Sequence, residues 1–536
     1  MTGVAHSATI TFAPATSYAA GGNPVNVISA DLNGDAKLDL LVANGAGTLS
    51  LYHGHGTGAF DPAISIATTV SPVGVAASDV DKDGDLDLVY TQPTANSFQV
   101  LRNTAGSFSP FLSAYPVGSN PLRFGVGDFN GDSWPDLAVT NKNSSNVSVA
   151  INRGDGSFFT PTITYPAGSS PRGIVPADFN ADGILDLAVT DESASNIVVL
   201  NGNGDGSFGP PTPYFAVPSA SGIVTRDFDN DGRADIAVVG STTPGRVAIL
   251  RNIGNSFAPA ISYPVGASGS FQIASADLDQ DGKLDLAVSG NVGTLVSTLR
   301  GNGDATFQPA QNIDLGVASV GIEAANLNAD LKPDLAFTVP LAATLQVLLN
   351  NTDLTAPLVS STLSPSANAA GWSRVNTSVV WSTSDPESGI ASSTGCGAIV
   401  QSSETSGKTL TCTATNGSGL TTTRTVTIKL DKTVPAASIT SGANAVISPL
   451  AALQGSANDP VSNSTRSGIA SVTVAWTPEL PTASSTSVAT GCGGGASSCS
   501  WTAAAPTIPG VYTVKATATD VAGNQTTSAP VTVIVV

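Results

Sequence analysis

Seven short acidic segments recur along the first two thirds of the chain at a nearly fixed spacing, and this recurrence limits the possible folds more than any other feature. They read DLNGDAKLD from Asp31, DVDKDGDLD from Asp79, DFNGDSWPD from Asp128, DFNADGILD from Asp178, DFDNDGRAD from Asp227, DLDQDGKLD from Asp277 and NLNADLKPD from Asn326. Successive starts lie 48, 49, 50, 49, 50 and 49 residues apart. A period near 50 marks stacked supersecondary units, each with room for a four-stranded sheet. Around each segment hydrophobic residues alternate with period two, as in IVPADFNADGILDLAVTD, so one strand enters the segment and another leaves it. No helical spacing is present. The expectation is an all-β fold in which residues 1–352 form a seven-bladed β-propeller.

A turn ending in Gly-x-Phe or a relative of it follows each of the first six segments, so Phe60, Phe108, Phe158, Phe208, Phe257 and Phe307 are expected to anchor the outer strands. The seventh repeat stops at LQVLLNNTD without its Phe, whereas the N-terminal ATITFAPATSY resembles GSFFTPTITY of the third repeat. The N-terminus is therefore expected to supply the outer strand of the last blade, with Phe12 as its anchor. Such a pairing removes the free sheet edges that promote aggregation.

The chain has 21 Lys and Arg against 40 Asp and Glu, a net charge of −19. Of the 32 acids before residue 353, 24 lie inside the seven segments, where they repel one another unless a cation neutralises them. Ca²⁺ takes six to eight oxygen ligands, and side chains at alternate positions of a tight loop converge on one point. The first position carries Asp31, Asp79, Asp128, Asp178, Asp227, Asp277 and Asn326. The third carries Asn33, Asp81, Asn130, Asn180, Asp229, Asp279 and Asn328, and the fifth Asp35, Asp83, Asp132, Asp182, Asp231, Asp281 and Asp330. The seventh residue would offer its backbone carbonyl, from Lys37, Asp85, Trp134, Ile184, Arg233, Lys283 and Lys332. The ninth closes the site with Asp39, Asp87, Asp136, Asp186, Asp235, Asp285 and Asp334. Gly84, Gly183, Gly232 and Gly282 at the sixth position permit the positive φ such a turn needs, while Ala36, Ser133 and Leu331 take that place at a strain of ~1 kcal/mol or more. Six or seven structural Ca²⁺ ions are expected, the seventh loop being the weakest because it loses a charge and gains a bulky side chain. The alternative is that the loops are Asp-rich turns capping backbone donors.

The D-x-[DN]-x-D-G-x-x-D loops resemble the FG-GAP and VCBS repeats of integrin alpha-chain propellers and of many secreted bacterial proteins. That resemblance covers about two thirds of the chain and implies calcium in the hairpin between the two inner strands of each blade. After Asn351 the sequence becomes Ser/Thr-rich, and the segments DLTAP and DKTVP divide it into residues 353–433 and 434–536. DPESGIAS at 385 is echoed by DP and SGIAS between 459 and 471, and TATNGSG at 413 by TATDVAG at 517, so two related β-sandwich domains are expected. They resemble the Ig-like modules that bacterial surface proteins string in tandem. All four cysteines fall here; of three connectivities the local one, Cys396 with Cys412 and Cys492 with Cys499, is simplest and places the chain outside the cytosol. Trp381 and Trp476 are expected in the cores.

The acidic balance argues against a nucleic-acid partner, and no apolar run approaches the roughly 20 residues of a membrane-spanning helix. With three His, and all Cys outside the propeller, no catalytic constellation is visible and no enzymatic role is expected. The best reading is a secreted or cell-surface calcium-binding propeller that binds a glycan or protein, on an Ig-like stalk. A structural spacer of a larger surface protein and a polysaccharide-acting enzyme are the other readings. Tyr90, Phe98, Phe124, Tyr214 and Phe271 break the repeat and are candidate ligand contacts, with packing between blades as the alternative. Arg153-Gly154-Asp155 spells an integrin-recognised tripeptide, but it occupies a repeat turn. Sequons at Asn143, Asn146, Asn376 and Asn463 matter only in a host that glycosylates them.

Overall fold

The computed structural model describes residues 9–68, 70–441, 445–448, 451–460, 466–480 and 484–536, so the Asn463 sequon lies outside the described residues. Every regular element among them is a β-strand, and the chain separates into two compact units, Thr9–Thr352 and Asp353–Val536.

The first unit is built from seven four-stranded antiparallel sheets, as the alternating pattern requires. The second strand of six of them, such as Asp39–Asn44 or Asp186–Asp191, is buried along its whole length, and in the sixth sheet only the end of Asp285–Val292 is exposed. Both its faces are covered because neighbouring sheets pack face to face. Phe179, Ile197 and Val199 of the fourth sheet meet Ile236, Val238 and Leu250 of the fifth. Val27, Leu40 and Tyr52 of the first meet Leu327, Ala336 and Val347 of the last, which closes the circle. The first strands, Pro24–Ala30, Val75–Ser78, Pro121–Gly127, Pro171–Ala177, Ala220–Arg226, Ser268–Ala276 and Ile322–Ala325, stand side by side in that order, and the last returns to the first. This arrangement is a β-propeller, with the first strands around its axis.

The closing strand comes from the N-terminus. Thr16–Ala19 pairs with Thr344–Leu348, with Thr16 opposite Val347 and Ala19 opposite Thr344. Phe12 bridges Asn350 as Phe60 bridges Gly54 and Phe158 bridges Asn152, so it occupies the anchor position of its sheet. The anchors also lock adjacent sheets: Tyr18, Tyr115, Tyr165, Tyr214 and Tyr263 meet Phe60, Phe158, Phe208, Phe257 and Phe307 edge to face. Tyr214 is thus a packing residue. Tyr90 and Phe98 are likewise core, at 2% and 0% exposure, which leaves Phe124 and Phe271 of the five candidate ligand contacts.

The second unit holds two pairs of sheets. A three-stranded sheet containing Thr377–Ser384 accompanies a four-stranded one containing Thr405–Asn416, and a second three-stranded sheet containing Ala452–Asn458 accompanies a six-stranded one containing Gly510–Asp520. Trp381 lies in the first core and Trp476 with Trp501 in the second. Cys396–Cys412 and Cys492–Cys499 are disulfide-bonded, the local pairing.

Candidate metal centre

Each acidic loop joins the first and second strands of its sheet, so all seven lie at the same end of the first unit. The closing Asp opens the second strand, where burial is complete. Its Oδ2 accepts the N–H of the second loop residue, and its Oδ1 accepts an N–H from the end of the third strand. For Asp186 these are Phe179 N at 3.0 Å and Gly202 N at 2.8 Å, and the same pair recurs in all seven loops. The first Asp accepts the N–H of the sixth residue in loops one to six, as Gly183 N donates to Asp178 Oδ2 at 2.8 Å. The turn is tight enough to need left-handed backbone at the sixth residue everywhere: Gly84, Gly183, Gly232 and Gly282 have φ between 81° and 99°, and Ala36, Ser133 and Leu331 follow at 64°, 70° and 72°.

The structure brings the first, third and ninth carboxylates together. Asp79, Asp81 and Asp87, Asp227, Asp229 and Asp235, and Asp277, Asp279 and Asp285 each place ligand oxygens within 4.8 Å of one another. The fifth Asp stands outside these groups and accepts the N–H of the seventh residue, as Asp182 does from Ile184 at 2.8 Å. In three loops it also pairs with a basic seventh residue, Lys37, Arg233 or Lys283.

One feature of the sites escaped the sequence analysis. Wherever the third residue is Asp rather than Asn, an Arg from the end of the third strand pairs with it: Arg102 with Asp81 at 2.5 Å, Arg251 with Asp229 at 3.4 Å, and Arg300 with Asp279. The extra carboxylate and the Arg cancel, so these loops keep the charge of their Asn-bearing neighbours. The signal was present as an Arg 21 or 22 residues after the third position. Even so, Asp81 Oδ1, Asp229 Oδ1 and Asp279 Oδ1 are buried without any hydrogen-bond partner, as is Asn326 Oδ1 of the seventh loop. A buried acceptor left unpaired costs roughly 1–3 kcal/mol, and these four oxygens belong to proposed ligands, whereas others such as Asn44 Oδ1 and Ser319 Oγ lie outside the loops. The donor set of hard oxygens and the orphaned acceptors fit a calcium ion.

Burial and the neighbouring carboxylates push the closing groups up: Asp87, Asp136, Asp235 and Asp334 to about 6, and Asp285 to about 7. In each case desolvation dominates, backbone N–H groups oppose it, and the other loop carboxylates add to it.

The FG-GAP-like repeat family matches residues 31–90, 79–139, 128–189, 178–238, 227–288 and 277–337, six overlapping copies that together span more than half of the sequence. The chain belongs to the FG-GAP-like repeat family. Each FG-GAP match begins at the first Asp of one loop and runs through the next, so the repeat boundaries coincide with the candidate ligands. No curated protein matches the chain in sequence. Among solved structures the FG-GAP chain is similar to BBS1N in complex with ARL6DN (11% identity, 63% of this chain and 96% of that one, TM-score 0.47). A functionally unknown protein from Desulfotomaculum acetoxidans DSM 771 (15% identity, 55% and 90%, TM-score 0.40) and the full extracellular region of plexin A4 (8% identity, 97% and 84%, TM-score 0.40) are also similar.

Outside the FG-GAP repeats, two more acidic groups converge in Asp353–Val536 that the sequence analysis did not single out. Asp353, Asp385 and Glu387 form one, Asp431, Asp459 and Asp520 the other. The two are related by the internal echo: DLTAP and DKTVP supply the first Asp of each, and the DP pairs the second. TATN supplies Asn416 where TATD supplies Asp520. Asn416 Nδ2 donates to Asp353 Oδ2 at 2.8 Å and Asp385 Oδ2 at 3.0 Å, so an amide holds the first group together. In the second, a third carboxylate replaces it, all three residues are at most 1% exposed, and Asp459 Oδ1 has no partner. Desolvation and the other two carboxylates push Asp459 up to about 6.

The remaining motifs resolve into turn chemistry. Asp155 of the Arg-Gly-Asp tripeptide accepts from Ser157 N at 2.9 Å and Ser157 Oγ at 2.6 Å. His53 faces Asn33 and Asp39, and His55 pairs with Asp61, so the two imidazoles have separate partners.

Proposed function

We propose that the protein is a secreted or cell-surface binding module: a seven-bladed propeller, stabilised by six or seven Ca²⁺ ions, that holds a glycan or protein ligand and is carried on Ig-like domains at 353–433 and 434–536. The observation that carries the calcium reading is the set of orphaned third-position oxygens, each buried among the carboxylates of its own loop. The first, third and ninth side chains, with the seventh carbonyl, would hold the ion, and the fifth Asp, which stands outside that group, would have to turn toward it to join. Calcium supplies the positive charge that lets those carboxylates stand together, which makes it a folding component. The buried group at Asp431, Asp459 and Asp520 has the same donor chemistry and would hold one further ion. Two disulfides support an oxidising compartment. A binding role is favoured over catalysis because the acids outside the loops, such as Asp155, Asp205 and Asp304, cap turns by accepting from Ser157, Ser207 and Thr306.

The test is binding of the intact chain to a broad glycan panel in millimolar Ca²⁺ and in chelator, with a melting curve in each condition. Calcium-dependent binding with a lower melt in chelator is the expected result. An unchanged melt in chelator would overturn the calcium assignment, and glycan-free behaviour with a lowered melt would move the reading to a protein ligand or a spacer.

A further inference from the structure

The first strands surround a cavity of about 340 Å³ on the propeller axis, to which all seven sheets contribute. In three repeats the residues five and six places before the loop are both small or aliphatic, as at Gly74 with Val73 and Gly321 with Val320. Four repeats depart from this with larger polar, charged or aromatic side chains: Asn26, Arg123, Arg172, and Phe271 with Gln272. These departures come from consecutive or near-consecutive sheets yet meet at one place. Arg123, Arg172 and Phe271 line both the main cavity and a smaller one of about 90 Å³ beside it, on the side away from the acidic loops.

Their charges do not balance. Arg172 donates to Glu192 Oε1 at 3.0 Å while its guanidinium lies 3.9 Å from the centre of the Phe271 ring, which fixes its plane. Glu192 also pairs with Lys142 at 2.6 Å, so a single carboxylate serves two cations. Arg123 forms no ion pair among the described residues. Its Nη1 donates to Val73 O at 3.0 Å and Leu122 O at 3.3 Å, and no described residue accepts from Nε or Nη2. Burial, and the positive charge of Arg172, lower the Arg123 pKa to about 9. A recessed guanidinium with free donors beside a second one is a binding site for an anion, and its planar fork suits a carboxylate.

Size and lining narrow the class. One unpaired guanidinium matches one negative charge. A volume of about 340 Å³ accepts a monosaccharide-sized ligand, and Gln272, whose Oε1 accepts from Ile322 N at 3.3 Å, offers its amide N–H groups to a hydroxyl. We propose that the axial cavity binds a monoanionic sugar acid, a uronate, through the guanidinium groups of Arg123 and Arg172. This rests on the reading of the propeller as a ligand-binding module and names its site. The uronate is either a free monosaccharide or the end of an acidic polysaccharide.

The test is calorimetric titration of the calcium-loaded full chain with D-galacturonate, with D-galactose as the neutral match and trigalacturonate as the chain-end form. Saturable one-to-one binding of galacturonate is expected, with galactose at least about tenfold weaker and Arg123→Gln weakened about ten- to a hundredfold at an unchanged melting temperature. Arg123→Lys should restore part of the loss, which separates charge from folding. Tighter binding of trigalacturonate, abolished by the same substitution, would assign the polymer end as the ligand; equal binding would assign the free sugar. Equal affinity for galactose, no galacturonate binding at millimolar concentration, or wild-type binding by Arg123→Gln would each overturn the proposal. If the chain retains another ligand from the glycan panel in those cases, the axial site falls while the binding-module reading stands.

Discussion

Leu331 holds a left-handed backbone at φ 72° and is 79% exposed, so it bears the strain of the turn without any packing in return. Leu331→Gly should therefore raise stability by about 1 kcal/mol, read as a shift in the chemical denaturation midpoint, and a destabilised variant would show that the side chain has a role the fold does not reveal. Arg300 tests the charge logic of the loops, because its partner Asp279 is buried and has an orphaned oxygen. Removing one partner of a buried pair costs roughly 3–5 kcal/mol when the other charge stays behind. Arg300→Met should lower the melting temperature strongly in chelator and much less in saturating Ca²⁺, where the ion takes over the neutralisation. An equal loss in both conditions would detach Arg300 from the metal site. The gathering of the first, third and ninth loop carboxylates was legible from Asp and Asn spacing alone. The Arg partners were not, because their pairing depends on how far the third strand runs back toward the loop.

At the level of the element, each acidic hairpin is a strand pair pinned by its closing Asp. The closing groups Asp87, Asp136, Asp235 and Asp334 at about 6, and Asp285 at about 7, lie above the ordinary unfolded value of about 3.9, so the folded state binds protons more readily than the unfolded one. Stability linked to these groups is present below pH 4 and is lost as pH rises through 6 to 7. Calcium-free protein should thus melt at progressively lower temperature between pH 5 and 7.5, and calcium should flatten that slope; a flat profile without calcium would contradict the arrangement of the hairpins. The hairpins themselves were readable because a two-residue alternation interrupted by Asp and Gly leaves few alternatives. The axial ligand residues were not, since Arg123 and Arg172 are 49 residues apart in sequence and only the curvature of the ring makes them neighbours. The acidic groups of the second unit were missed for a related reason: Asp431, Asp459 and Asp520 are single acids in Ser/Thr-rich sequence until the fold brings them together.

Across the whole first unit, ring closure rests on a short N-terminal segment. Thr11 N donates to Thr352 Oγ1 at 3.0 Å, and Asn351 N donates to Thr11 O at 3.1 Å, beside the Thr16–Ala19 pairing. Removing the residues through Ala19 should expose the edge of Thr344–Leu348 and cause concentration-dependent association visible by light scattering. A truncated chain that stays monomeric with an unchanged melt would show that the last sheet is stable with three strands. The closure also sets an order of events. The contact between Thr11 and Thr352 spans 341 residues, so the Thr16–Ala19 strand has no partner until the last strands of this unit have been made. Until then it is an unpaired edge, and closing so long a loop carries an entropic cost that the shorter pairings inside each sheet do not. The ring therefore cannot close before residues 344–352 exist, and its two sides, built far apart along the chain, are held by the same few hydrogen bonds.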